Sequence, residues 1–154
     1  MLIFRRMDTD ISRLRGRLLL VALGGLLLFS TGCKQLTEAP KDAEKLDASV
    51  HAAMGRGDWK SIYADADPEM RSSTTEEKFG TLFTAIDKKL GKPVSTTQTG
   101  WKINAETSGT LLISQCETKF EKDASGTETF TWRKTDGQYR LYGYHINSDE
   151  LISR

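Results

Sequence analysis

The chain has 154 residues, and 22 Lys and Arg against 21 Asp and Glu leave a formal charge of +1. Charge this small and this mixed in sign excludes the basic footprint of a nucleic-acid binder. The length allows one domain with a real core and excludes two ordinary ones once the amino-terminal segment is set aside.

Arg5, Arg6, Arg13, Arg15 and Arg17 open the chain, and an apolar run from Leu18 to Phe29 follows. Ser30, Thr31 and Gly32 then place small residues directly before Cys33. A charged start, a short apolar run and small residues at a cut site mark an export signal. The run falls short of the roughly 20 residues that a membrane-spanning helix needs. Residues 1–32 are therefore expected to form a signal helix that is removed, leaving 17 basic and 19 acidic side chains and a formal charge of −2.

Ser30-Thr31-Gly32-Cys33 resembles the lipobox of bacterial lipoproteins. It matches at Thr31, Gly32 and Cys33 and departs at Ser30, where the family carries an aliphatic residue. The resemblance implies that the Cys33 thiol is diacylated with palmitate-class chains and that the new amino terminus is acylated. The first partner it implies is thus a membrane, held firmly because each buried methylene contributes about 0.8 kcal/mol. Lys34 stands where an aspartate would imply retention in the inner membrane, so in a host with two membranes the expected place is the periplasmic face of the outer one.

Residues 33–41 read as the lipidated cysteine and a linker, since Thr37, Glu38 and Pro40 accompany little apolar content. Residues 42–154 read as a single α+β domain. Ala43, Leu46, Val50, Ala53 and Met54 recur at helical spacing until Gly55-Arg56-Gly57. Asp58 is placed to cap a second helix with Trp59, Ile62 and Tyr63 on one face, and Pro68 is expected to interrupt it. A third helix is predicted from the stripe Phe79, Leu82, Phe83, Ile86 and Leu90, with Thr74 and Glu77 as a capping box and Gly91 as its stop.

From Val94 onward Thr, Ile, Phe, Trp and Tyr dominate, and strands are predicted over 94–105, 109–122, 126–134 and 138–147. Short turns at Thr107 to Gly109, Asp123 to Gly126 and Thr135 to Gly137 make consecutive strands antiparallel neighbours in a meander. In the last strand Tyr139, Leu141, Gly143 and His145 alternate with Arg140, Tyr142, Tyr144 and Ile146, and Gly143 marks a bulge or a close packing point. Three helices packed on one face of a curved four-stranded sheet is the expected fold. Cys116, unpaired once Cys33 is lipidated, reads as a small buried hydrophobe within a strand.

The run Trp59 to Pro93, the strand Glu117-Thr118-Lys119-Phe120 and the closing strand Gly137 to Tyr144 resemble bacterial exported domains of the cone-shaped superfamily of nuclear transport factor two. The resemblance implies a concave pocket between helices and sheet. In its enzymes an acid or histidine stands inside the cone, for which His145, Glu128 and Glu117 are the candidates. It fixes no activity, because that fold hosts binding modules as well as enzymes.

Other chemistry is sparse. No Gly-x-Ser-x-Gly elbow and no glycine-rich phosphate loop occur. His51 and His145 lie on separate elements without a ligand cluster, so neither a metal nor a cofactor is expected. Asp65, Asp67 and Glu69 lack the glycine and distal glutamate of a calcium loop and read as a solvated helix end. Thr129, Thr131 and Arg133 form a polar row suited to a solvent-facing or dimer-facing surface. Most aromatics fill the core, and Trp132, Tyr142, Tyr144 and His145 are the expected ligand or partner contacts. The reading is a lipid-anchored cell-envelope protein whose domain is a noncatalytic binding or interaction module for an unknown protein or small molecule. A small enzyme using an acid or base in the cone pocket is one alternative. A structural homodimer of the envelope is the other.

Overall fold

A computed structural model describes residues 32–122 and 124–153. The expected signal segment before Gly32 lies outside the described residues, as does the side chain of Cys33. The chain divides into two units at Thr37 and Glu38, and the second unit carries the sheet and the helical residues from Glu38 onward.

Helix α1 runs from Gly32 to Gly55 with Pro40 inside it. It therefore covers residues 33–41, expected to form an exposed linker. The physical reason is that its apolar stripe begins earlier than Ala43: Ala39 is buried one turn before it. Gly57, at φ 69°, turns the chain, and Asp58 accepts the Ser61 amide at 3.3 Å to start helix α2, Trp59–Ala64. Pro68 initiates a helix where it was expected only to interrupt one. It opens α3, Pro68–Ser73, where its missing N–H costs nothing, behind the Asp67 cap. Helix α4, Glu76–Lys89, is capped by Thr75 and not by Thr74, whose extended backbone closes α3. Lys78 follows Thr75 at the third helical position, so the reciprocal glutamate of a capping box is absent. Leu82 lies at the edge of the α4 stripe and is 37% exposed, whereas Phe79, Phe83, Ile86 and Leu90 are buried. Gly80 lets α4 approach α2 closely, because a Cβ there would stand 2.6 Å from the Trp59 ring.

Four strands follow: β1 Pro93–Glu106, β2 Gly109–Phe120, β3 Ser125–Thr135 and β4 Gln138–Asn147. They form one open antiparallel sheet in the order β1-β2-β3-β4, and the short helix α5, Asp149–Ile152, comes after it. Asp136 and Gly137 both take positive φ, the conformation of a two-residue hairpin turn, and Asp-Gly suits it. The domain is thus α+β, with four helices before the sheet among the described residues.

The last strand departs from strict alternation. Thr131 pairs with Gly143 and Trp132 with Leu141, so Tyr142 is the extra residue of a bulge. Because the bulge shifts the pleat, Tyr139 and Leu141 join Tyr144 and Ile146 against the core. The core itself lies between the helices and one sheet face, with Leu112, Cys116, Phe120, Phe130 and Trp132 as its floor.

Candidate functional site

Helix α1 carries Asp47 and His51 four residues apart, hence on one face, and both point at the sheet. Asp47 is buried and collects three donors. Its Oδ2 accepts the Ser114 hydroxyl at 2.6 Å and the Cys116 thiol at 3.4 Å, and its Oδ1 accepts the Trp132 indole N–H at 2.8 Å. Burial raises the pKa of this carboxyl above its ordinary value, with the three hydrogen bonds opposing the shift. Burial also pushes the Cys116 thiol up to about 12, helped by the neighbouring Asp47 charge, so this thiol is not a ready nucleophile.

One helical turn on, His51 Nε2 lies 2.7 Å from Glu128 Oε2. Glu128 is fully buried on β3 and also accepts the Thr118 hydroxyl and, at 2.6 Å, the Tyr144 hydroxyl. Thr96 closes a ring, with its Oγ1 3.3 Å from His51 Nδ1 and 3.1 Å from the Thr118 hydroxyl. Counting protons orders this ring. If Thr118 donates to Glu128, Thr96 must donate to Thr118, which leaves His51 Nδ1 to donate to Thr96. Burial and the adjacent Glu128 charge raise the Tyr144 hydroxyl well above its usual range, which keeps it a donor.

Two clefts flank α1. A cleft of about 190 Å³ between α1 and β1 is lined by Glu44, Asp47, His51, Thr96, Gln98 and Cys116. The buried Gln98 amide nitrogen has no partner there. A cleft of about 380 Å³ lies between α1, α2 and β4 and includes Val50, Ile62, Trp132 and Leu141 among its walls.

The four residues predicted as contacts are not brought together. Trp132 and Tyr144 sit on the helix-covered face, where their polar atoms serve Asp47 and Glu128. Tyr142 lies over the Arg133 guanidinium at 3.8 Å, and His145 is exposed, paired across the ladder with Thr129. Of the three candidates for an acid or histidine inside the sheet, only Glu128 is buried; Glu117 and His145 are exposed. Arg133 departs from the open polar row, being buried against the buried Asp67 and the exposed Glu69, whose carboxylates stand 3.4 and 2.7 Å from it. The α3 start wraps the β4 edge, where the Asp67 amide donates to the Leu141 carbonyl at 2.9 Å, and this brings the two acids over Arg133. The Arg133 hydrogen bond holds the Glu69 carboxyl below its ordinary pKa. Among the described residues no group of three His, Cys, Asp or Glu is placed to hold a metal ion.

Sequence reasoning missed Asp47 and the role of His51. One signal was available: Asp47 falls on the stripe Ala43, Leu46, Val50 and Met54, at a position that should be apolar. The model of a family described as a protein of unknown function (DUF4019) matches residues 48–144, well over half the chain. No curated protein matches. The chain therefore belongs to that family, and the matched span contains His51, Glu128 and Tyr144.

Proposed function

We propose that this member of a family of unknown function is a noncatalytic binding module, held at the cell envelope by acyl chains on Cys33 and facing the periplasm from the outer membrane. One contrast carries the reading. The buried acids, histidine and thiol spend their hydrogen bonds within the protein, while the 380 Å³ cleft beside them is open and lined by apolar and polar side chains together. A general base must reach a substrate proton, and Asp47 and Glu128 are occupied by donors from the protein itself. The resemblance to the cone-shaped superfamily supports the same reading, since a pocket between helices and sheet is its usual binding place.

An enzyme remains the second reading because His51 and Gln98 line the smaller cleft, where a substrate reaching the ring would meet a histidine backed by a carboxylate. One experiment separates the two and tests the anchor. The wild-type protein is recovered from membranes, its amino terminus is analysed by mass spectrometry, and the protein is run through a hydrolase panel beside Cys33→Ser and His51→Ala. Expected are an acylated Cys33 terminus, loss of membrane attachment in Cys33→Ser, and no turnover. Unmodified Cys33 within a longer chain removes the anchor, and turnover abolished by His51→Ala removes the noncatalytic reading.

A further inference from the structure

We infer that the cleft between α1, α2 and β4 binds a small amphipathic monocarboxylate, with its carboxylate at Arg56 and Arg140 and its apolar body over Val50, Ile62, Leu141 and Trp132. This rests on the binding-module reading and names its ligand class. At about 380 Å³ the cleft is within the roughly 300–1,000 Å³ range of small-molecule sites. Its inner wall is apolar and fixed: Val50, Ile62, Leu141 and Trp132 are all core residues, and Trp132 is tied to Asp47.

The polar groups are at the rim. Arg56 follows the end of α1 and Arg140 lies on β4, both are exposed, and neither guanidinium makes a side-chain hydrogen bond or ion pair among the described residues. That distinguishes them from Arg133, whose charge is matched by Asp67 and Glu69. A guanidinium presents a planar fork of donors that fits a carboxylate in pairs of hydrogen bonds. Asp65 is the one acid on the rim, so the cleft carries a net single positive charge and suits a monoanion better than a dianion. The Ser49 and Ser61 hydroxyls donate to the Leu46 and Asp58 carbonyls, which leaves the two arginines, with the Tyr139 hydroxyl, as the side-chain donors free to take an anion among the described residues.

The test uses the full chain purified in detergent micelles. The indole N–H resonance of Trp132 is the reporter, since that group sits beneath the cleft and donates to Asp47. The probes are naphthoate and naphthylmethylamine, which share a ring system and differ in the sign of their charge. Naphthoate is expected to move the reporter saturably, and Arg140→Gln and Arg56→Gln each to weaken binding about tenfold, the loss of one charged hydrogen bond. Both arginines are exposed, so neither change threatens the fold. Equal binding of the cation, or naphthoate binding indifferent to both arginines, overturns the carboxylate assignment and leaves the binding module standing. A reporter that neither probe moves overturns both the ligand class and this cleft as the binding place.

Discussion

Helix α4 reaches the sheet through rings: Phe79 stacks on Phe83 at 4.5 Å, and Phe83 meets Tyr144 of β4 at 5.2 Å. Helix α1 reaches the same sheet face through a carboxylate and an imidazole, set among Ser114, Thr118, Cys116 and Glu128. The two seams differ in what they contribute. Apolar contact stabilises in proportion to area removed from water and tolerates small shifts. A buried polar seam adds little net stability, because desolvation offsets the hydrogen bonds, but each donor must find its acceptor. The α4 seam thus supplies stability, and the α1 seam sets the register of one long helix on β2 and β3.

The largest expected effect is on the apolar seam. Phe83→Ala should cost roughly 3–5 kcal/mol through lost burial and a residual cavity, read from urea melts. Lys88→Ala, on the exposed side of α4, should stay within about 0.5 kcal/mol. Equal and small effects at the two sites would break the distinction at its apolar end.

The polar seam is next. Asp47→Asn should cost roughly 2 kcal/mol, because one acceptor becomes an amide that donates toward Ser114 or Trp132, both donors themselves. The pH dependence carries the sign. Burial raises the Asp47 pKa, so its contribution is fully present below the ordinary value of 3.8 and is lost as pH rises through the folded value. The gap between wild type and Asp47→Asn is therefore widest in acid and narrows with rising pH. A constant gap would mean that Asp47 is not the group being titrated.

The same contrast decides what was legible in the sequence. The stripe of α4 and the Asp-Gly turn announce themselves, because apolar periodicity and positive-φ turn residues are local signals. Two cases were not local. Asp47 and His51 interrupt the α1 stripe, and their partners lie 67 and 77 residues away on β2 and β3. Nothing short of the strand register could join them. Gly143 marks a bulge or a close packing point in the sequence, the bulged residue is its neighbour Tyr142, and the presence of that one extra residue decides whether His145 faces the helices or the solvent. Arg133 shows the same limit, since its acids come from a helix start folded around the sheet edge.

Tyr144 is where the two seams meet, and it gives the smallest and sharpest comparison. Its ring packs on Phe83 and on Phe130, at 5.2 and 5.1 Å, while its hydroxyl donates to Glu128. Tyr144→Phe keeps the ring contacts and removes only the hydrogen bond, so the expected cost is about 1.5 kcal/mol. Above neutrality the two proteins should also diverge in slope. The folded pKa of this phenol is raised well above 10.0, so its contribution is intact below that value and is lost as pH rises through the folded one. Cys116, pushed up to about 12, acts with the same sign, so the phenylalanine variant should lessen the alkaline decline without abolishing it. Urea melts on either side of pH 10.0 read the slope directly. Parallel slopes would place the Tyr144 hydroxyl in water, and Glu128 would then hold His51 and Thr118 without it.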